Sequence, residues 1–219
     1  MAEGEDSNGI YLRTDEHLEF IDALNTSAYF SKEVLNNTYA MKWLILALHA
    51  SLQGACVCAL RGYDTSGVSV LSNASRKEWL NWFEESRDNG DLPAPEFEKL
   101  ADLKTLYKRV TKTSELRHPF TFHQDSKINF DVKRLNSLRN NFIHFVPKGW
   151  SIELSGMPRI VSSVTEVIEH LVIRHPSAPH HLTDDNRNQV GQSLQDIRNN
   201  IAQWARRHDI QNGSRPLPG

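Results

Sequence analysis

Residues 41–60 read MKWLILALHASLQGACVCAL, and the fold class turns on what that stretch is for. It is dominated by Leu, Ile, Ala, Cys and Val over a length that could cross a bilayer. Lys42, His49, Ser51, Gln53 and Gly54 interrupt it, and its alanines suit close contact with other helices. A helix apolar all round belongs in the centre of a bundle or in lipid. The polar interruptions favour the bundle, so the stretch is read as the spine of a helical fold, with no membrane partner.

The flanking sequence supplies the helices that cover such a spine. Upstream, Leu18, Ile21, Leu24 and Ala28 recur at helical spacing from Asp15 to about Phe30, with Thr14 as N-cap. Ser31 is expected to cap the spine helix, which runs to Arg61 and stops at Gly62. After a connection over 62–74, Ser75 precedes a short helix bearing Trp79, Leu80, Trp82 and Phe83. Pro95 suits the first turn of the next, whose stripe is Phe97, Leu100, Leu103, Leu106, Tyr107 and Val110. Residues 111–124 read as loop. Ser126 opens a helix that buries Ile128, Val132, Leu135, Leu138, Phe142 and Phe145 and stops at Pro147 and Gly149. Trp150, Ile152 and Leu154 alternate as a short extended piece, and helices over about 160–174 and 186–208 complete the chain. The expected fold is all-α: a bundle of long antiparallel helices with short extra helices and one short extended segment. The expected organisation is a flexible acidic N-terminus over 1–14, one helical domain over 15–210 and a flexible tail over 211–219.

Composition agrees with a globular chain: 39% of its 219 residues are hydrophobic and 24% charged. The two cysteines, Cys56 and Cys58, suit neither a disulfide framework nor paired zinc ligands, and the acidic start lacks the basic and apolar regions of a secretory signal. A cytoplasmic location is expected. The net charge of −2 is unevenly spread. Residues 1–30 hold seven acids against Arg13, whereas residues 101–150 hold ten Lys and Arg against four acids. A phosphate backbone would be drawn to the middle of the chain. Solvated helix faces without a partner are the competing reading of the same charge.

Most standard sites are missing from the sequence: no Gly-rich phosphate loop, no His-Glu-x-x-His pair, no Gly-x-Ser-x-Gly elbow and no zinc-spaced cysteines. His175, His180 and His181 lie among Pro176 and Pro179 and read as a loop rather than a metal site; His49, on the spine, reads as a hydrogen-bonded core residue. Arg139-Asn140-Asn141-Phe142-Ile143-His144 stands apart, because one helix end there carries both a bidentate phosphate binder and an acid–base that works near neutral pH. RNA cleavage without a metal needs those two groups. Histidine moves the proton between the ribose 2′-hydroxyl and the leaving 5′-oxygen, and arginine stabilises charge on the phosphorus oxygens. Asn140 can add an orienting hydrogen bond. Arg117–His123 and Arg174–His180 share a similar spacing but are broken by prolines.

Arg-Asn-x-x-x-His at the end of an amphipathic helix resembles the signature of the HEPN superfamily, whose members include RNA-cleaving toxins, CRISPR-associated RNases and anti-phage proteins. The resemblance implies a metal-independent endoribonuclease leaving a 2′,3′-cyclic phosphate. It also implies a composite site in which Arg139, Asn140 and His144 of two protomers meet at a homodimer interface. Lys133, Arg134 and Lys148 flank the motif as RNA-binding candidates. No metal or cofactor is expected, and RNA and an antitoxin or regulatory protein are the partners implied. On one ideal helix Arg139 and His144 point about 140° apart, so a bend or a second subunit is required for them to converge. Three readings compete with this one. The first is a non-catalytic HEPN-like module that binds RNA or protein. The second is a helical scaffold or small-ligand protein with a pocket between the spine and Trp79/Trp82. In the third, the motif is structural: Arg139 ties down an acid and His144 caps helix carbonyls.

Overall fold

The structure, a computed structural model, describes residues 12–61, 66–90, 92–96, 98–112, 126–144, 151–174 and 182–208. Of these, 77% lie in helices and none in a strand, so the fold is all-α. The α-helices are α1 (Glu16–Glu33), α2 (Ala40–Arg61), α3 (Asn73–Asp88), α4 (Leu103–Val110), α5 (Ser126–Ile143), α6 (Met157–Glu169) and α7 (Asp184–Arg207). A 3-10 turn, Val68–Val70, precedes α3, and a π-helical turn, His170–Arg174, extends α6.

The spine is α2, but it begins later than its sequence suggested. Asp15, not Thr14, caps α1, its carboxylate accepting the N–H groups of His17 and Leu18 at 2.9 and 2.8 Å. Ser31 does not open a helix: it is buried in the last turn of α1, donates to the Ala28 carbonyl and accepts from the Asn200 amide. The break falls at Asn36-Asn37-Thr38, where Asn37 Oδ1 accepts the Tyr39 N–H before α2 starts at Ala40. A serine that bonds to its own preceding turn continues the helix, while Asn stabilises the turn that ends it.

Leu44, Ile45, Leu48, Leu52, Ala55 and Cys56 of α2 are fully buried, and 72% of its most apolar window lies inside the fold. The helices α1, α4, α5 and α6 cover it. The apolarity of this stretch is therefore that of a helix surrounded by others. Burial pushes the Cys58 thiol up to about 12, and both cysteines are free and buried.

Pairwise contacts fix the helix directions. Glu16 meets Arg61, Phe20 meets Gly54, Ser27 meets Ser51 and Phe30 stacks on Trp43, so α1 and α2 are antiparallel. A Cβ on Gly54 would stand 3.0 Å from Phe20 Cβ and 3.1 Å from its Cα, and the close approach of α1 and α2 depends on this glycine. The contacts Asn25–Ser193, Leu35–Arg207 and Ser31–Asn200 advance together, so α7 runs parallel to α1. On the other side His49 of α2 meets Asn136 of α5. Tyr107 of α4, within electrostatic reach of Cys56, bonds Asn129, making α5 antiparallel to α2.

Three further boundaries differ from expectation. Ser72 caps α3 by accepting the Ser75 N–H, which places Ser75 inside the helix. Pro95 lies outside any helix, and α4 starts only at Leu103, capped by Asp102 accepting the Thr105 N–H at 2.8 Å. Just before it Leu71 bridges Leu100, with the Ser72 N–H donating to the Lys99 carbonyl and the Ala101 N–H to the Val70 carbonyl. α6 begins at Met157, with Pro158 in its first turn where proline is tolerated. Ile152 and Leu154, expected in a short extended piece, lie in chain that is neither helix nor strand. Phe97, Phe145, Trp150 and most of the 111–124 loop lie outside the described residues.

Candidate functional site

The motif occupies the C-terminal end of α5, which is anchored on two sides. Val132, Leu135 and Leu138 enter the core, and fully buried Asp131 binds α6. Its carboxylate accepts from Arg159 Nη2 at 2.9 Å and Nε at 3.1 Å and from Ser163 Oγ at 2.8 Å. On the α2 side, His49 Nε2 lies 3.1 Å from Asn136 Oδ1, one turn before the motif. With the amide oxygen toward the ring, Nε2 carries the proton and donates. Burial lowers the His49 pKa below 6.5; the Asn136 bond opposes that shift and the nearby positive charge of Arg139 reinforces it. The imidazole is held neutral and acts as a clamp between α2 and α5.

Arg139 is half-buried beside that clamp, and its Nη1 donates to Asn140 Oδ1 at 3.0 Å. His144 follows the last residue of the helix, exposed, with its N–H still bonded to the Asn140 carbonyl at 2.9 Å. Arg139 and Asn140 are thus joined directly. Among the described residues no hydrogen bond links either side chain to the His144 imidazole. Arg139 has no carboxylate partner among the described residues. Arg61, Arg159, Arg174, Arg187 and Arg198 each have one.

Helical spacing sorts the flanking cations. Lys133, Asn140 and His144 stand seven and four residues apart and share one outward column, all exposed. Arg134, half-buried, is about 100° from that column and faces elsewhere. Lys148 lies outside the described residues, as do His175, His180 and His181. Among the described residues no group of three or more His, Cys, Asp or Glu is placed to hold a metal ion.

The contact of His49 with the motif helix is one that reading the sequence missed. A signal was present all the same: an imidazole on the most apolar helix must find a partner, and Asn136 is the polar residue one turn before Arg139 and Asn140. The aromatic residues of α3 form a separate group. Trp79, Trp82 and Phe83 pack ring against ring, Trp82 Nε1 donates to the Leu92 carbonyl, and α3 contributes nothing to the core cluster around α2.

No family model matches the sequence, and neither a curated protein nor a solved structure is significantly similar to it.

Proposed function

We propose that the protein is a metal-independent endoribonuclease of the HEPN type, acting as a homodimer in the manner of a toxin or anti-phage effector. The observation that carries this reading is the state of Arg139. Five other described arginines, Arg61, Arg159, Arg174, Arg187 and Arg198, pair with carboxylates, whereas Arg139 makes its one described hydrogen bond to the neighbouring Asn140. Its remaining N–H groups can donate to phosphate oxygens, and His144 presents its ring to solvent at the same helix end.

In the proposed reaction a neutral imidazole takes the proton from a ribose 2′-hydroxyl and the 2′-oxygen attacks phosphorus. The P–O5′ bond breaks, and the 5′-oxygen takes a proton from an imidazolium. The products are a 2′,3′-cyclic phosphate and a 5′-hydroxyl. Arg139 holds the charge that builds on the non-bridging oxygens, and Asn140 orients the guanidinium. One protomer presents Arg139 and His144 on different faces, so two-fold symmetry supplies the missing group: His144 of one protomer works with Arg139 of its partner.

Mixing tests this division of labour. Arg139→Ala and His144→Ala proteins, each inactive alone, should recover part of the activity when mixed and allowed to exchange subunits. Light scattering should give twice the chain mass. A monomer at micromolar concentration, or no recovery from a mixture shown to exchange, contradicts the composite site. If RNA is bound but never cut, the non-catalytic module replaces the enzyme.

A further inference from the structure

The helix directions gather four termini at one end of the bundle. Antiparallel α1 and α2 bring Glu33 near Ala40, and parallel α1 and α7 bring Arg207 to Leu35, where its Nη1 donates to the carbonyl at 2.9 Å. Antiparallel α2 and α5 place Ile143 level with Lys42, each seven residues, about 10 Å, beyond the His49–Asn136 contact. The motif therefore lies at the end that also carries Lys32, Lys42, Arg206 and Arg207. Glu33 is the one acid in these terminal turns. The opposite end of α1 carries Asp15, Glu16 and Glu19.

The same end exposes aromatic rings. Tyr39 is 88% exposed, and Trp43, one helical turn on, is 50% exposed. Trp43 is backed by Phe30, stacked at 6.2 Å with 24° between the planes, and Lys42 Nζ lies 5.1 Å from its ring centre. Exposed rings beside cations at helix ends suit a chain that alternates flat bases with phosphates.

We propose that Tyr39 and Trp43 form a stacking shelf for single-stranded RNA, with Lys42 and Arg206 receiving its phosphates and the strand leading across the bundle end to Arg139 and His144. This inference rests on the RNA reading above and adds where the substrate lies and that it is single-stranded. An RNA duplex hides its base faces and has nothing to offer the rings.

The test is anisotropy of a fluorescein-labelled 12-nucleotide single-stranded RNA, with His144→Ala as the background so that the probe stays whole. Tyr39→Ala, Lys42→Glu and Arg206→Glu should each weaken binding at least about fivefold. Lys77→Glu, on the exposed face of α3, should leave it unchanged. A duplex of the same sequence should bind more weakly and be indifferent to Tyr39→Ala. If the parent binds and the three variants bind equally well, the shelf is wrong while the nuclease reading stands. If the parent binds no RNA the shelf falls, and cleavage by the wild-type protein then decides the nuclease reading separately. If Tyr39→Ala instead halves the mass in light scattering, the rings belong to a subunit interface and the shelf is overturned.

Discussion

The two halves of α5 carry polar groups of similar kind in opposite states. In the first half, Asp131 is fully buried and accepts three hydrogen bonds, two from Arg159 and one from Ser163. In the second half, Arg139 makes one described bond to its neighbour, and Asn140 and His144 face solvent. A buried carboxylate with its acceptors satisfied fastens helices together. A cation with donors to spare at an open helix end is available to something outside the chain. The difference separates the fastening of this helix from the chemistry proposed for it, although the two lie only a few turns apart.

The comparison breaks if the open half also holds the fold. The largest expected effect is therefore His144→Ala, which should lower the cleavage rate by about 10²- to 10⁴-fold with no change in melting temperature. Asp131→Ala should do the reverse. It removes a satisfied buried acceptor, but leaves an Arg159 side chain that is 42% exposed and can hydrate. The loss should be about 2 kcal/mol in urea unfolding, below that for a fully buried pair. The folded fraction should cleave at the wild-type rate.

Gly54→Ala sharpens the same separation on the far side of α2, because the added methyl meets Phe20 backbone as well as side chain. It should cost about 1–2 kcal/mol of stability through overpacking and leave RNA binding unchanged.

The smallest expected effect is in pH. Burial lowers the His49 and His170 pKa values, so the folded protein binds fewer protons than the unfolded chain below about pH 6.5. Stability should hold above that pH and decline as pH falls through the window beneath it. His49→Gln, which can still bond Asn136, should flatten part of that slope, with His170 contributing to the rest and Asp102 and Glu169, whose carboxyls are also lowered, adding to it at more acid pH. An unchanged slope in His49→Gln shows that the clamp does not titrate in this window.

Periodicity alone located α5, α6 and α7 closely, because a sustained apolar stripe reports burial whatever packs against it. It misplaced the α1–α2 break and the start of α4. Ser31 and Pro95 are common helix openers, yet Ser31 bonds within its own turn, and the described chain beyond Pro95 is non-helical until Asp102 caps α4. Arg139, Asn140 and His144 were legible as neighbours along one helix. The clamp from His49 was not, since residues 87 positions apart are joined only by packing. The cationic end was equally hidden: it arises from four helix ends whose directions the sequence does not state, and Lys32, Lys42 and Arg206 lie outside the basic middle of the chain.

Metal-free cleavage tests the central claim most directly. Purified protein should be incubated with single-stranded RNA in excess EDTA, beside His144→Ala, and the product ends identified. The account predicts cutting by the wild-type protein alone, with 2′,3′-cyclic phosphate and 5′-hydroxyl ends. Cutting that needs magnesium, 5′-phosphate ends, or cutting that survives His144→Ala contradicts it.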